Sequence, residues 1–231
     1  MKRILTTASA ALLALGTAAS ASTFTLNNGT AGLIPGGTAT NEVLTNVFSQ
    51  SAASGYYGAD IVLDADSNID VAFFGFEAGF RNSFVIGGTT TTTADIDGLN
   101  GGVSGDGEEY AEDLATPLSS FTLNNVTSGL LDFSFFADLT GDNIEVANGS
   151  NPDNSATNPN FFVSEGRGSA GQTLFLFFDD GGAGNDDNHD DLVVRLSIGD
   201  GNTDPSPVPL PATGLLLLGA LGGMRMMKRR S

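Results

Sequence analysis

The sequence contains no cysteine and no tryptophan, and it has no lysine between residues 4 and 227. Without cysteine the chain can form neither disulfide bonds nor a thiolate metal site, so a folded domain must be held together by core packing or by bound ions. The only histidine, His189, lies in an acidic segment, which disfavours a serine or cysteine nucleophile. No phosphate-binding glycine motif and no zinc-binding pattern is present.

Basic residues are scarce, and most of them lie at the two ends of the chain. Six of the nine Lys and Arg residues fall within residues 1–21 or 208–231, whereas all 27 acidic residues lie between these segments. Residues 22–207 therefore keep three arginines against 27 acids, a net charge of −24. Such a surface repels nucleic acid and anionic lipid and favours cations.

The amino terminus has the pattern of an export signal. Lys2 and Arg3 precede an apolar stretch from Ile4 to Gly16, and Ala19 and Ala21 occupy the small-residue positions of a signal peptidase site. We therefore expect residues 1–21 to be removed and the mature chain to begin at Ser22.

The carboxyl terminus combines a proline-rich box, a short apolar run and a basic cluster. The run Ala212–Met227 would form a helix of roughly 24 Å at ~1.5 Å per residue, which is short for a hydrocarbon core of ~30 Å. It is preceded by a proline-rich spacer, residues 201–207. The five residues of the box are Val208, Pro209, Leu210, Pro211 and Ala212.

This order of elements resembles the VPLPA form of the PEP-CTERM sorting signals of Gram-negative bacteria. The resemblance implies that residues 208–231 are recognised by an exosortase-type membrane transpeptidase, after insertion of the hydrophobic helix into the inner membrane. The tail would then be removed and the protein delivered to the cell surface or to an exopolysaccharide matrix. Two alternatives stay open: a plain membrane anchor, and the LPxTG sortase motif that residues 210–214 also satisfy.

Between the two terminal signals, short segments rich in Val, Ile, Phe and Thr alternate with clusters of Gly, Asn, Asp and Ser. This pattern predicts an all-β domain over residues 22–200, an antiparallel β-sandwich or jelly roll. Short helices are expected only near residues 41–50 and 108–114, and residues 89–113 are expected to form mainly a surface loop. The predicted strands are Ser22–Asn28, Asn68–Phe76, Asn82–Gly87, Ser120–Val126, Leu130–Leu139, Thr173–Asp180 and Leu192–Ile198.

The most distinctive chemical feature is the segment FLFFDDGGAGNDDNHDDLVVRLSI, from Phe175 to Ile198. Two apolar strands hold a dense set of carboxylates at a fixed place, where their repulsion favours a bound cation. Ca²⁺ suits them because it takes six to eight oxygen ligands in flexible geometry. A solvated acidic turn is the alternative, and His189 is expected beside the ion rather than bound to it. The predicted calcium ligands are Asp179, Asp180, Asp186, Asp187, Asp190 and Asp191.

The same segment is similar to the carboxyl-terminal hairpin of DUF4114-like domains, an uncharacterised family of bacterial surface proteins. Stretches at residues 75–84 and 148–163 also resemble such proteins. The resemblance implies a surface location and an ion, and it implies no reaction.

Two further acidic features give weaker indications of a functional site. Asp64, Asp66, Asn68 and Asp70 alternate along the chain, which fits a metal loop less well than a solvated turn because Ile69 replaces the glycine that an EF-hand needs. Glu77 is expected to form an ion pair with the nearby Arg81.

These features predict an exported, non-catalytic surface or matrix protein stabilised by Ca²⁺, with signal peptidase and the exosortase-type enzyme as partners. Exopolysaccharide is the candidate ligand, although the absence of tryptophan leaves only Tyr56, Tyr57 and Tyr110 as non-phenylalanine aromatics for a sugar platform. The alternatives are a carbohydrate-active enzyme on the same scaffold and a self-associating surface-layer or adhesin subunit.

Overall fold

The structure is a computed structural model. The predicted signal peptide, the spacer and the sorting segment lie outside the residues that it describes, and so does Asn185. The described residues are 22–92, 107–139, 142–166, 171–184 and 186–198.

Within these ranges the chain forms thirteen β-strands and one short helix, α1. The helix, Glu42–Asn46, begins at a capping residue because Asn41 Oδ1 accepts a hydrogen bond from Leu44 N at 2.7 Å. The strands are β1 (Phe24–Ile34), β2 (Ala53–Leu63), β3 (Ser67–Ala78), β4 (Arg81–Ile86), β5 (Thr89–Thr92), β6 (Gly107–Tyr110), β7 (Ser119–Val126), β8 (Gly129–Leu130), β9 (Phe133–Leu139), β10 (Asp142–Ala147), β11 (Asn160–Glu165), β12 (Thr173–Asp179) and β13 (Leu192–Ile198).

The strands form two antiparallel sheets. The larger sheet has the order β1-β2-β11-β12-β13-β3-β6, with β7 also paired to β3 and β8 to β2. The smaller sheet has the order β10-β9-β4-β5. The prediction of an all-β, antiparallel fold is confirmed, and the arrangement of two sheets over a shared core fits a β-sandwich.

Aromatic side chains fill the space between the two sheets. Phe135 of the smaller sheet stacks on Phe178 of the larger one, with ring centroids 4.7 Å apart and planes 7° from parallel. Phe84 and Phe161 extend the same cluster, and all four side chains are fully buried. This packing fixes the end of β12, the point where the acidic segment begins.

The opposite face of the larger sheet is also covered, here by α1 and the residues that follow it. Val43 and Leu44 of α1 share a core cluster with Phe162 and Phe177, and Phe48 packs against it. Residues 174–178 of β12 and 192–194 of β13 are thus buried on both faces, which explains why these stretches are continuous apolar runs instead of alternating ones.

The acidic segment connects β12 to β13 as a long hairpin loop, with Phe178 paired to Leu192. Other elements surround it on the same end of the larger sheet. Backbone hydrogen bonds join Gly36 N to Asp187 O at 2.6 Å and Glu77 N to Asp190 O at 2.9 Å. The loop is therefore part of the folded body.

Several local predictions need correction. The helix expected near residues 108–114 is wrong, because Gly107–Tyr110 is strand β6 and pairs with β3. The threonine run Thr89–Thr92, expected in a loop, pairs with β4. Strands β2, β10 and β11 were not predicted, because their hydrophobic residues are interrupted by glycine or mixed with polar residues.

Candidate metal centre

Three of the six aspartates predicted as calcium ligands are buried. Asp179, Asp180 and Asp190 are 1%, 6% and 0% exposed, whereas Asp186 is exposed and the other two are partly exposed. The structure does not gather the six around one point but distributes them among separate groups of side chains. Burial of ionised carboxylates is costly unless each charge is paired, protonated or bound to a metal.

The first group consists of Asp179, Asp187 and His189. The His189 Nδ1 atom lies 3.5 Å from Asp179 Oδ2 and 3.4 Å from Asp187 Oδ1. The other Asp179 oxygen, Oδ1, accepts hydrogen bonds from the backbone amides of Gly181 and Gly182, which fixes the carboxylate. Asp179 Oδ2 and His189 Nδ1 are buried and have no hydrogen-bond partner.

The orientation of the His189 ring follows from its other nitrogen. His189 Nε2 lies 2.9 Å from Asn160 Oδ1. The Asn160 amide nitrogen is directed elsewhere, toward Asn154 Oδ1 and Asn158 O, so its oxygen faces the imidazole and accepts from Nε2–H. In the neutral ring, Nδ1 then presents a lone pair to the two carboxylates.

Asp187 is held in place by three contacts. Its backbone oxygen accepts from Gly36 N, its Oδ1 accepts from Asn154 Nδ2 at 3.0 Å, and its Oδ1 also faces His189. A Cβ at position 36 would come within 1.6 Å of Asp187 Oδ2, so any larger residue there would displace the Asp187 carboxylate. When His189 carries a proton on Nδ1, its hydrogen bond and charge hold the pKa of the Asp187 carboxyl below its usual range.

The second group consists of Glu42, Glu77 and Asp190, and it contains oxygen ligands only. One carboxylate oxygen from each residue lies within 4.8 Å of the others. Asp190 Oδ2 accepts from Glu42 N at 2.6 Å, whereas Asp190 Oδ1 is buried without a hydrogen-bond partner. Glu77 therefore lies beside two other acids, and the expected ion pair with Arg81 is not observed among the described residues.

The remaining two aspartates, Asp180 and Asp191, form a pair. Asp191 Oδ2 accepts from Asp180 N at 2.8 Å, and Asp180 Oδ2 accepts from Asn82 Nδ2 at 2.8 Å. Burial raises the pKa of Asp180 to about 6, and burial together with the Asp180 charge raises the pKa of Asp191. These two aspartates belong to neither of the groups above.

Basic side chains do not neutralise these acids within the part of the chain that the structure describes. That part contains two cationic residues, Arg81 and Arg195. Arg195 lies over the Phe74 ring at 5.0 Å and donates to Leu114 O at 3.2 Å, and neither arginine forms an ion pair with the loop. The buried acids must therefore pair with a protonated His189, hold protons themselves or bind a cation.

The second acidic cluster of the sequence forms no common site. Its four polar side chains bond separately to neighbouring chain segments, which supports the interpretation as a structural turn. The acceptors and their donors are Asp64 with Thr23, Asp66 with Ser128, Asn68 with Asn125 and Asp70 with Thr122.

Of the tyrosines considered as a sugar platform, only Tyr56 has a largely accessible ring, 39% exposed. Tyr57 packs instead against Phe162 and His189, and its hydroxyl donates to Leu33 O at 2.8 Å. Burial, with the nearby Asp187 and Asp179 charges, raises the pKa of Tyr57 to about 12. Tyr57 thus belongs to the wall of the first group.

No family model, curated protein or solved structure matches the chain. Among the described residues, no helix is both long and apolar enough to cross a bilayer. What the loop binds is therefore inferred from its geometry and its donor atoms.

The raised pKa values predict how the ion-free protein responds to pH. Burial raises the pKa of Asp190 to about 9 and that of Asp180 to about 6, so the folded state holds protons that the unfolded state releases near ~3.9. This stabilisation is complete below the unfolded pKa and is lost as pH rises through the folded values. With EDTA present, we expect Tm to fall by about 5 °C or more from pH 5 to pH 8.

Thermal melting of the full chain in mild detergent with EDTA measures this slope. Asp180→Asn should reduce the slope because the amide is neutral at every pH, whereas Asp132→Asn, at an exposed position, should leave it unchanged. A Tm that rises steadily from pH 5 to pH 8 would contradict the prediction.

Proposed function

We propose that the chain is an exported, non-catalytic protein of the cell surface or exopolysaccharide matrix, whose β-sandwich is stabilised by Ca²⁺. Signal peptidase removes residues 1–21, and an exosortase-type enzyme recognises Val208–Ala212 and removes the tail. The mature domain then carries its strongly acidic surface into the extracellular space, where free Ca²⁺ is abundant enough for weak sites to fill.

The observation that supports this proposal best is the all-oxygen group at the junction of α1, β3 and the loop. Glu42, Glu77 and Asp190 present carboxylates within one coordination shell, and Asp190 Oδ1 is buried with no other partner. A group of oxygen ligands alone suits Ca²⁺ better than Mg²⁺. Ca²⁺ binds oxygen atoms at about 2.3–2.6 Å in flexible geometry, whereas Mg²⁺ requires a regular octahedron and retains several of its waters.

This position would explain why a surface domain without disulfides needs an ion. The three ligands come from chain segments that are far apart in sequence and adjacent in the fold. A cation there would hold the start of α1 and the end of β3 against the loop, and it would replace the repulsion among three acids by attraction to one ion. The role that follows is structural, because an ion at this place would lie between two half-buried acids and the buried Asp190 of the loop.

The processing part of the proposal predicts both mature termini. We expect the protein recovered from envelope and medium fractions to begin at Ser22 and to lack Leu215–Leu218, because the apolar run is short for a permanent span. Intact-mass and peptide mass spectrometry of each fraction checks this expectation. Recovery of Met224–Ser231 peptides from the extracellular protein would contradict removal of the tail.

A further inference from the structure

Three electron-rich atoms face one another in the first group of the loop. One ligand atom from each of Asp179, Asp187 and His189 lies within 4.8 Å of the others. His189 Nδ1, which carries a lone pair when the ring is neutral, lies 3.5 Å from Asp179 Oδ2 and 3.4 Å from Asp187 Oδ1. Two of these atoms, those of Asp179 and His189, belong to side chains that are at most 1% exposed, and neither has a hydrogen-bond partner. Such an arrangement is repulsive unless a proton or a metal ion lies between the atoms.

The distances fit a small divalent metal. Ligand atoms about 2.0–2.2 Å from a tetrahedral zinc ion lie roughly 3.3–3.6 Å from one another. The two distances from His189 Nδ1, 3.5 Å to Asp179 and 3.4 Å to Asp187, fall in this range. The side chain of Asp187 is 21% exposed, so a water molecule can complete the shell from the solvent side.

Neighbouring groups hold the three candidate ligands by hydrogen bonds, as the residues around a metal site usually do. A metal-bound histidine usually donates its second N–H to a neighbouring oxygen, which fixes the ring; Asn160 Oδ1 supplies that acceptor for His189 Nε2. The two glycine amides fix the Asp179 carboxylate, and Asn154 fixes that of Asp187. These contacts place all three ligand atoms before any ion arrives.

We propose that Asp179, Asp187 and His189 form a binding site for a divalent transition metal of the Zn²⁺ class, distinct from the all-oxygen group. The imidazole nitrogen selects the metal, because Ca²⁺ prefers oxygen ligands whereas Zn²⁺, Co²⁺ and Ni²⁺ accept imidazole with carboxylate. The ion joins the end of β12 to the middle of the loop and, through Asp187, to Gly36. The site does not depend on the proposed surface location or on calcium.

The chain's single histidine makes a direct test possible. The full chain, purified in mild detergent without a histidine tag, is titrated with Zn²⁺ by calorimetry in the presence of excess Ca²⁺, which occupies the all-oxygen group. Nitrogen-15 NMR of the imidazole then reports on His189 alone. We expect one Zn²⁺ per chain, a shift of the Nδ1 resonance on binding, and retention of the Nε2 proton.

Variants separate the metal ligands from the rest of the loop. Asp187→Asn and His189→Asn should each weaken Zn²⁺ binding by about 100-fold or more. Removing a residue that only hydrogen-bonds a metal ligand typically costs about 10–100-fold in metal affinity, and removing a ligand itself should cost at least as much. Asparagine tolerates the positive φ of position 189, 61°, so the backbone can be kept. Asp180→Asn removes a charge from the same loop without touching the group, and it should bind Zn²⁺ as the wild type does.

Two results would overturn the assignment. One is a doubly protonated His189 ring whose resonances do not respond to Zn²⁺, since the imidazolium would then pair with both aspartates by itself. The other is Zn²⁺ binding that survives both Asp187→Asn and His189→Asn, since the ion would then lie elsewhere. If Ca²⁺ shifts the Nδ1 resonance as strongly as Zn²⁺ does, the proposed preference of this site for Zn²⁺ over Ca²⁺ is wrong.

Discussion

Adding about 10 mM Ca²⁺ to the ion-free protein is expected to raise its Tm by about 5–10 °C. At the tight end of the extracellular range, a Kd of about 10⁻⁴ M, this concentration is ~100 times Kd and stabilises the folded state by ~2.7 kcal/mol. For a domain of this size each kcal/mol corresponds to roughly 2–4 °C. Equal concentrations of Mg²⁺, or NaCl at matched ionic strength, should give a much smaller shift, because screening does not fill a coordination shell.

The variants of the all-oxygen group locate the ion. Asp190→Asn keeps the shape of the side chain and is neutral at every pH, so the ion-free protein should be at least as stable as the wild type at pH 8, where the wild-type carboxyl begins to ionise. Its response to Ca²⁺ should nevertheless be lost. Glu77→Gln should weaken the response in the same direction, and Asp132→Asn, exposed and far from the loop in sequence, should leave it intact.

Two outcomes would contradict the calcium assignment. A wild-type shift no larger than that with Mg²⁺ or NaCl would show that the carboxylates respond only to ionic strength. A full Ca²⁺ response in Asp190→Asn would place the ion away from Glu42 and Glu77. These outcomes leave the mature termini untouched, so the stability and sorting parts of the proposed function can fail separately.

The strands that the sequence predicted best are those with uninterrupted hydrophobic runs. Residues 174–178 of β12 and 192–194 of β13 are buried on both faces, so their composition alone marks these stretches as strands. Strand β2 was missed because its sequence, ASGYYGADIVL, contains two glycines, one of them with a φ of 62°. Its strand character depends on pairing with β1 and β11, which local composition does not encode.

A cation site in the acidic loop was predicted from the density of its carboxylates. The distribution of these carboxylates among separate groups was not predicted. Glu42 and Glu77 lie about 150 and 110 positions before Asp190, so no spacing rule brings them together. The pairing of β13 with β3 in the larger sheet is what brings Glu77 beside the loop, and this pairing cannot be read from the local sequence. The expected pairing of Glu77 with Arg81 relied on sequence proximity, which a strand end does not preserve.

His189 was underestimated for a related reason. In a run of aspartates, a single histidine resembles a solvated loop residue, and the sequence shows no zinc-binding spacing. The fold buries it completely between Tyr57 and Phe162 and aligns Nε2 with Asn160, a residue of β11. The burial of His189 and the acceptor for its Nε2 atom arise only when these strands come together in the fold.

Replacing both prolines of the terminal box, Pro209→Ala with Pro211→Ala, is expected to abolish release of the protein and to trap its precursor in the inner membrane. Each proline fixes φ near −65° and disfavours helix in the residue before it, so the box stays extended ahead of the apolar run. With alanine at both positions, the helix of the run can extend upstream through the box, and a processing enzyme that requires an extended peptide no longer finds one. Fractionation with immunoblotting of precursor and mature forms measures the loss.

The spacer provides the matched control, because Pro205→Ala with Pro207→Ala changes the same number of prolines outside the box. This variant should be released normally, whereas a general need for a stiff linker would impair both. Thr213→Ala separates the two sorting motifs, since Thr213 belongs to the LPxTG pattern and lies outside VPLPA. Normal release of the box variant would contradict a sorting role for Pro209 and Pro211, and loss of release in Thr213→Ala alone would favour the sortase motif.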